Sequence, residues 1–370
     1  AAYTIFYMGV NVGSFAAPLI CGFLGDTGNP QDFKWGFLAS GIMTLFTVVL
    51  FETQKNKYLF SPSGEPIGIV PDARREKKED KAEHISHPKM DKRTKVRNII
   101  IITALTVALI AFFSYAFSDD WISVGIFTAC IVFPVLILLD GSLTKVERSR
   151  IFVIYIVAFF VIFFWAAYEQ AGASLTLFAS EQTDRSIFGW EMPASWFQSF
   201  NPLFVVILAY IMPGIWGFLN KRNMEPASPT KQAIGLLLLS LGYLFICFGV
   251  KDAIPGVKVS MIWLTGLYFI HTMGEIALSP IGLSMVNKLS PLRFASLMMG
   301  IWYLSTATAN KFAGMLSGLY PEDGKVKSIL GYQIATMYDF FMLFVIMSGV
   351  ASLILFLLSK KLQKMMHGVE

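Results

Sequence analysis

Apolar runs of 17 to 28 residues recur along this 370-residue chain, and they leave few folds open. A helix that crosses a bilayer needs roughly 20 mostly apolar residues. Ten runs meet that need, over residues 2–24, 35–51, 98–117, 121–139, 151–178, 197–219, 232–250, 259–286, 294–317 and 332–358. Hydrophobic residues make up 55 % of the chain and charged residues only 15 %, which excludes a soluble domain of this length. The expected fold is therefore an all-α polytopic membrane protein with about ten transmembrane helices. Trp and Tyr recur near the ends of the runs, as interfacial anchors do. Cys21, Cys130 and Cys247 all lie inside apolar runs and read as inert buried thiols. No signal peptide is visible, and the chain opens within an apolar helix without a Met, so further sequence is expected before it.

The lysines and arginines orient the chain. Residues 52–97 carry a dense set, from Lys55 and Lys57 to Lys95 and Arg97. The following connections on the same side hold Lys145, Arg148 and Arg150, then Lys221, Arg222 and Lys231, then Lys288 and Arg293, then Lys360, Lys361 and Lys364. The opposite loops are poorer in basic residues, so the first set is expected in the cytoplasm, together with the C-terminus. Residues 52–97 mix Pro, Gly and both charge signs and read as a solvated linker, with a short surface helix possible over 71–84.

Few charges fall inside the runs, and one at the bilayer centre costs roughly 3 kcal/mol or more, so it normally faces a cavity or a partner. Glu169 lies in FWAAYEQAGASLTLFA (residues 164–179), in the outward half of a long run. It could be satisfied by a neighbouring helix or could load and release a proton; intramembrane carboxylates favour function. Glu275 lies near the middle of its run, with His271 one helical turn away and within reach of a hydrogen bond. Pro280 frees a backbone carbonyl there, and either a bend or simple packing explains it. Lys311 and Asp339 lie in the outer parts of consecutive runs and could pair across the helix interface, as a structural or gating ion pair rather than a substrate contact. Asn11, Asn201, Ser305 and Asn310 add hydrogen-bonding groups, and Trp302 offers an aromatic wall or lipid-facing bulk. There is no nucleotide loop, nucleophile triad or metal-ligand cluster, so neither an enzyme nor a nucleic-acid binder is expected, and nothing in the residues specifies an oligomeric state.

Several stretches resemble one family. FYMGVNVGS (residues 6–14) is similar to the F-Y-x-x-I-N-x-G-S-L signature of proton-dependent oligopeptide transporters of the major facilitator superfamily, with Val10 for the usual Ile and Phe15 for the usual Leu. FWAAYEQAGASLTLFA resembles the family's seventh helix and PASWFQSFNPLF (193–204) the start of its eighth. GEIALSPIGLSMVNKLSP and RFASLMMGIWYLSTATAN resemble its tenth and eleventh.

The resemblance implies a partial major facilitator fold. Residues 1–51 would be helices five and six, 52–97 a cytoplasmic linker and 98–139 an inserted hairpin. Residues 140–150 would be a short linker, 151–358 the six-helix C-terminal bundle and 359–370 a cytoplasmic tail. Helices one to four, with an E-x-x-E-R-like motif and a lysine tied to proton and carboxylate handling, would lie outside this sequence, and the fragment alone would be inactive. By position, Glu169 matches the proton-coupling glutamate and Glu275 the glutamate that meets the peptide's amino terminus. Asn11, Asn201, Trp302 and Ser305 match pocket-lining positions. The implied activity is proton-coupled symport of di- and tripeptides across the cytoplasmic membrane, with the proton as coupling ion and no other cofactor. The rivals are another solute on the same scaffold, such as nitrate or a drug, and a non-transporting receptor or scaffold.

Overall fold

A computed structural model describes residues 2–60, 91–117, 120–251, 257–322 and 325–369. The hydrocarbon interior offers no water to exposed N–H and C=O groups, so apolar runs satisfy them within helices. The described helices are α1 (Ala2–Gly25), α2 (Phe33–Tyr58), α3 (Lys92–Ala116), α4 (Trp121–Leu138), α5 (Lys145–Tyr168), α6 (Ser174–Glu181), α7 (Phe200–Lys221), α8 (Ser228–Val250), α9 (Met261–Leu289), α10 (Ala295–Ser317) and α11 (Met337–Met365).

Eight helical stretches among the described residues are long and apolar enough to cross a membrane. α1 is helical over 24 residues, the length a crossing needs. α10 is nearly as long, but its Ser, Thr, Asn and Lys residues make it too polar to join that set. Helices also outrun the apolar stretches. α2 continues through Lys55 and Lys57 to Tyr58, and α11 through Lys360, Lys361 and Lys364 to Met365. Hydropathy marks where the lipid ends, whereas the helix continues wherever its residues allow. Most of the expected linker, and its surface helix, lie outside the described residues.

The fold is nearly all helical, with short strands only in its loops among the described residues. Among the described residues three two-stranded pairs sit in the loops: Thr183–Asp184 with Val259–Ser260, Ser186–Ile187 with Trp190–Glu191, and Lys327–Ile329 with Tyr332–Ile334. The last two are hairpins with two-residue turns, Phe188-Gly189 and Leu330-Gly331, in which both residues have positive φ. Such mirror-image turns match the twist of the flanking strands. Phe and Leu are not the residues that signal them.

The core lies among α5 to α11, where Ile151, Phe164, Phe178, Leu236, Tyr243, Phe340, Phe341 and Phe344 are fully buried. α8 packs against both α9 and α11. Gly235 and Gly274 make the α8–α9 approach possible. A Cβ on Gly235 would sit 2.9 Å from the Gly274 carbonyl oxygen, and one on Gly274 would sit 2.8 Å from the Gly235 carbonyl oxygen. Small residues permit this close backbone approach in membranes. Gly235→Ala is expected to destabilise the protein by about 1–3 kcal/mol, because backbone rather than a flexible side chain must yield. A melting curve in detergent measures it, and an unchanged midpoint would refute the packing argument. Across the helices, Ser240 Oγ donates to the Val345 carbonyl at 2.9 Å and Tyr243 OH to the Ala167 carbonyl at 2.7 Å.

One expected helix is broken. The run 151–178 is helical to Tyr168, forms a tight 3-10 turn over Glu169–Gly172, and resumes at Ser174. The Gln170 side chain is fully buried at the break. Its Nε2 donates to the carbonyls of Ala166 at 3.1 Å and Ala313 at 3.0 Å, and its Oε1 accepts from Ser174 Oγ at 2.6 Å. Side chains thus take over part of the polar satisfaction that a continuous helix provides.

α1 joins this bundle to α2. Gly36 of α2 sits against the Cys21 carbonyl, and α1 also packs on α7 and the turn Ala194–Ser199. Ser199 Oγ donates to the Phe15 carbonyl at 2.9 Å, and Asp26 Oδ2 accepts from the Ser195 N–H at 3.0 Å. These contacts hold α1 against the entrance of α7, where Asn201 begins the site.

Candidate substrate and proton site

Three helices converge on Glu275. α9 supplies Glu275 and, one turn earlier, Thr272; α5 ends at Tyr168; α7 begins with Asn201 as its second residue. The Tyr168 hydroxyl donates to Glu275 Oε2 at 2.5 Å, and Asn201 Nδ2 donates to the same oxygen at 2.8 Å. Asn201 Nδ2 also reaches Thr272 Oγ1 at 3.0 Å and the Tyr168 hydroxyl. Thr272 Oγ1 in turn donates to the Tyr268 carbonyl at 2.7 Å, which fixes it as an acceptor for Asn201.

Both donors to the carboxylate go to Oε2. Among the described residues Oε1 accepts no hydrogen bond, and the residue is half-buried. One oxygen is clamped and the other left free. A carboxylate held this way is preorganised for a cation, because two donors have already fixed its orientation. Charge-assisted bonds of an ammonium to such an oxygen are among the stronger ones.

Glu169 follows Tyr168 directly in the chain but points elsewhere. It opens the 3-10 turn, is exposed, and has no hydrogen-bond or ion-pair partner among the described residues. The break therefore presents two neighbouring residues to two environments, with Tyr168 turned to Glu275 and Glu169 to open space.

A family model described as PTR2, POT family, matches residues 1–334. The chain belongs to the POT family. It is 30 % identical to the peptide transporter YePEPT of Yersinia enterocolitica over 85 % of this chain, and spans 60 % of that protein. It is 31 % identical over its whole length to the uncharacterized transporter YclF of Bacillus subtilis, of which it spans 68 %. Among solved structures, a mutant of a peptide transporter POT in complex with alafosfalin superposes with a TM-score of 0.72 at 28 % identity, covering all of this chain and 68 % of that one. A POT family transporter in complex with 5-aminolevulinic acid gives 0.69 at 26 % identity, over 97 % of this chain and 69 % of that one. The family and these neighbours are transporters, not enzymes. The chain is a helical, multi-pass membrane protein with the fold of POT transporters.

Within this POT chain, the structure brings some expected site residues together and leaves others apart. Glu275 and Asn201 meet directly. Asn11 is buried on α1, one turn from Phe15, whose carbonyl receives Ser199 at the foot of α7. Trp302 is buried with its indole against Gly282, two turns past Glu275 on α9. Ser305 is buried too, and its hydroxyl donates to the Trp302 carbonyl of its own helix at 2.6 Å rather than toward the Glu275 cluster.

Two expected pairings are corrected. His271 does not bond Glu275. Its Nε2 lies 3.2 Å from the Leu239 carbonyl, and its ring fills the space that Gly242 leaves on α8. Lys311 does not pair with Asp339. It contacts Asp120 Oδ2 at 2.5 Å. Asp339 instead closes a capping box with Thr336 at the start of α11, accepting from Thr336 N at 2.9 Å while its own N–H donates to Thr336 Oγ1 at 3.2 Å. The Thr-x-x-Asp spacing before an apolar run is a sequence signal for that cap. Tyr168 and Thr272 were not expected in the site. Thr272 could have been found, since it lies three residues before Glu275 and so on the same helix face. Tyr168 carries no such signal, because its partner is on another helix.

Proposed function

We propose that the complete protein is a proton-coupled symporter of di- and tripeptides in the cytoplasmic membrane, with the 52–97 segment and the C-terminus on the cytoplasmic side. The observation that carries this reading is the half-clamped Glu275, with Oε2 tied to Tyr168 and Asn201 and Oε1 open. A peptide zwitterion brings an ammonium that fits the open oxygen. Its carboxylate would be held by cationic groups of the remaining helices, outside this sequence, and Asn201 and Asn11 are suited to the peptide unit. The relatives named as peptide transporters support the substrate class. Alternating access then follows from two bundles rocking about a midplane site. In this reading the present stretch of chain would not transport alone.

Uptake of a labelled dipeptide by the complete protein in proteoliposomes tests the proposal. An inward proton gradient is expected to drive accumulation, with di- and tripeptides competing and free amino acids not. A second reading has one observation in its favour: the Glu275 oxygen recognises an ammonium, which smaller amine solutes also carry, and one structural neighbour was solved with 5-aminolevulinic acid. Competition by such an amine, with none by dipeptides, would replace the first reading with the second.

A further inference from the structure

The inserted hairpin, α3 and α4, meets the bundle in an ordered way. α3 packs chiefly on α4, while α4 packs on α10. α10 is the helix that carries Trp302 and Ser305. The apolar contact between α4 and α10 is fastened at both ends.

At the outer end, Asp120 is the N-cap of α4. Its carboxylate accepts from the Ser123 N–H at 3.1 Å and from Ser123 Oγ at 2.7 Å, and takes Lys311 of α10 at 2.5 Å. At the inner end, Arg293 lies in the turn Leu292–Phe294 that leads into α10. Its Nη1 donates at 2.7 Å to Ser142 Oγ, which itself donates to Asp140 Oδ1 at 2.7 Å, just after α4; its Nη2 lies 3.9 Å from Glu147. Arg293 and Lys311 are 18 positions apart, about 27 Å of helix at 1.5 Å per residue, close to the thickness of the hydrocarbon core. α10 is therefore held along most of its crossing, and tilting it at either end requires breaking a charged contact or carrying the hairpin along.

We propose that the inserted hairpin is a brace that positions α10 during transport, with Asp120 and Lys311 as its outer positioning residues. The proposal rests on the transport reading above. The pair is not a pH switch. Lys311, and then Ser123, hold the Asp120 carboxyl down to about 2 from the usual 3.8, so on the acid side the contact is complete above about pH 4 and is lost as the pH falls through about 2. At any pH where a transporter works the brace is fastened.

Asp120→Asn and Lys311→Gln test it in the complete protein. Asn caps a helix as well as Asp does, so Asp120→Asn removes the charge and spares the cap. Each variant is expected to lower the maximal rate of dipeptide uptake about fivefold with KM nearly unchanged, the size a partly exposed pair allows. The double variant should be no slower than either single one, and Lys311→Arg should keep the wild-type rate. In parallel, spin labels at Leu237→Cys on α8 and Tyr303→Cys on α10, both exposed positions, report where α10 sits once the native cysteines are serine. The distance distribution should broaden in both neutralised variants and return to wild-type width in Lys311→Arg. Unchanged distributions in both neutralised variants, additive losses in the double variant, or Lys311→Arg behaving like Lys311→Gln would each overturn the brace. If the wild-type protein moves no peptide, the transport reading falls, while the label distances still decide whether the hairpin holds α10.

Discussion

Glu275→Gln is expected to lower the uptake of a labelled dipeptide by the complete protein about 100-fold, through KM more than through maximal rate. Gln keeps the shape of the side chain and can still accept from Tyr168 and Asn201 at one oxygen, so the Oε2 clamp is largely preserved. What it loses is the charge on the open side. A hydrogen bond to a charged group contributes about 1.5–3 kcal/mol, and a partly desolvated ammonium left without its carboxylate adds the cost of its own lost hydration. Together these reach the expected hundredfold. Tyr168→Phe is the matched control for the clamp. It removes the 2.5 Å bond and leaves the charge, so about a fivefold rise in KM is expected. Equilibrium binding and uptake measured side by side check both. Should Glu275→Gln retain wild-type KM, the ammonium site would have to be elsewhere. Should Tyr168→Phe exceed Glu275→Gln in effect, the hydroxyl would be touching substrate rather than orienting the carboxylate.

The spans and the polar positions within them were legible in the sequence because the bilayer imposes a length and a price on charge that soluble proteins escape. Glu169, Glu275 and Lys311 each stand out against apolar neighbours for that reason. Their partners were not legible. Whether Lys311 meets Asp339 on the next helix or Asp120 on the hairpin depends on which face of α10 the hairpin covers, and helical spacing within one segment does not fix that. His271 is similar: the i,i+4 spacing placed it near Glu275, but the space opened by Gly242 on another helix decided its contact. The break after Tyr168 was hidden because apolar content continues through it, and only the Gln170 bonds to Ala166 and Ala313 reveal how a polar side chain makes an interrupted helix tolerable. Tyr168 became a site residue only through that geometry, since the end of α5 turns it toward Glu275 while the next residue faces away.

That division at the break leads to the second large effect. Glu169→Gln is expected to abolish accumulation of dipeptide against its gradient, while counterflow exchange between equal pH values stays within about twofold of wild type. Gln mimics a protonated carboxyl in shape and charge, so the variant is held in the proton-loaded form and can shuttle substrate but cannot be driven by protons. The structural alternative predicts a different pattern. If Glu169 were retained to satisfy a neighbouring helix, its replacement would leave a donor or acceptor unpaired and destabilise the protein by about 1–3 kcal/mol. Here the side chain is exposed and without a hydrogen-bond partner among the described residues, at the head of a 3-10 turn between two apolar helices, where an unpaired charge is itself unfavourable. Removing that charge should leave the melting midpoint unchanged or slightly higher. A proton carrier and a structural carboxylate thus separate on two axes, coupling and stability. Full proton-driven accumulation by a well-folded Glu169→Gln protein would remove Glu169 from the coupling mechanism.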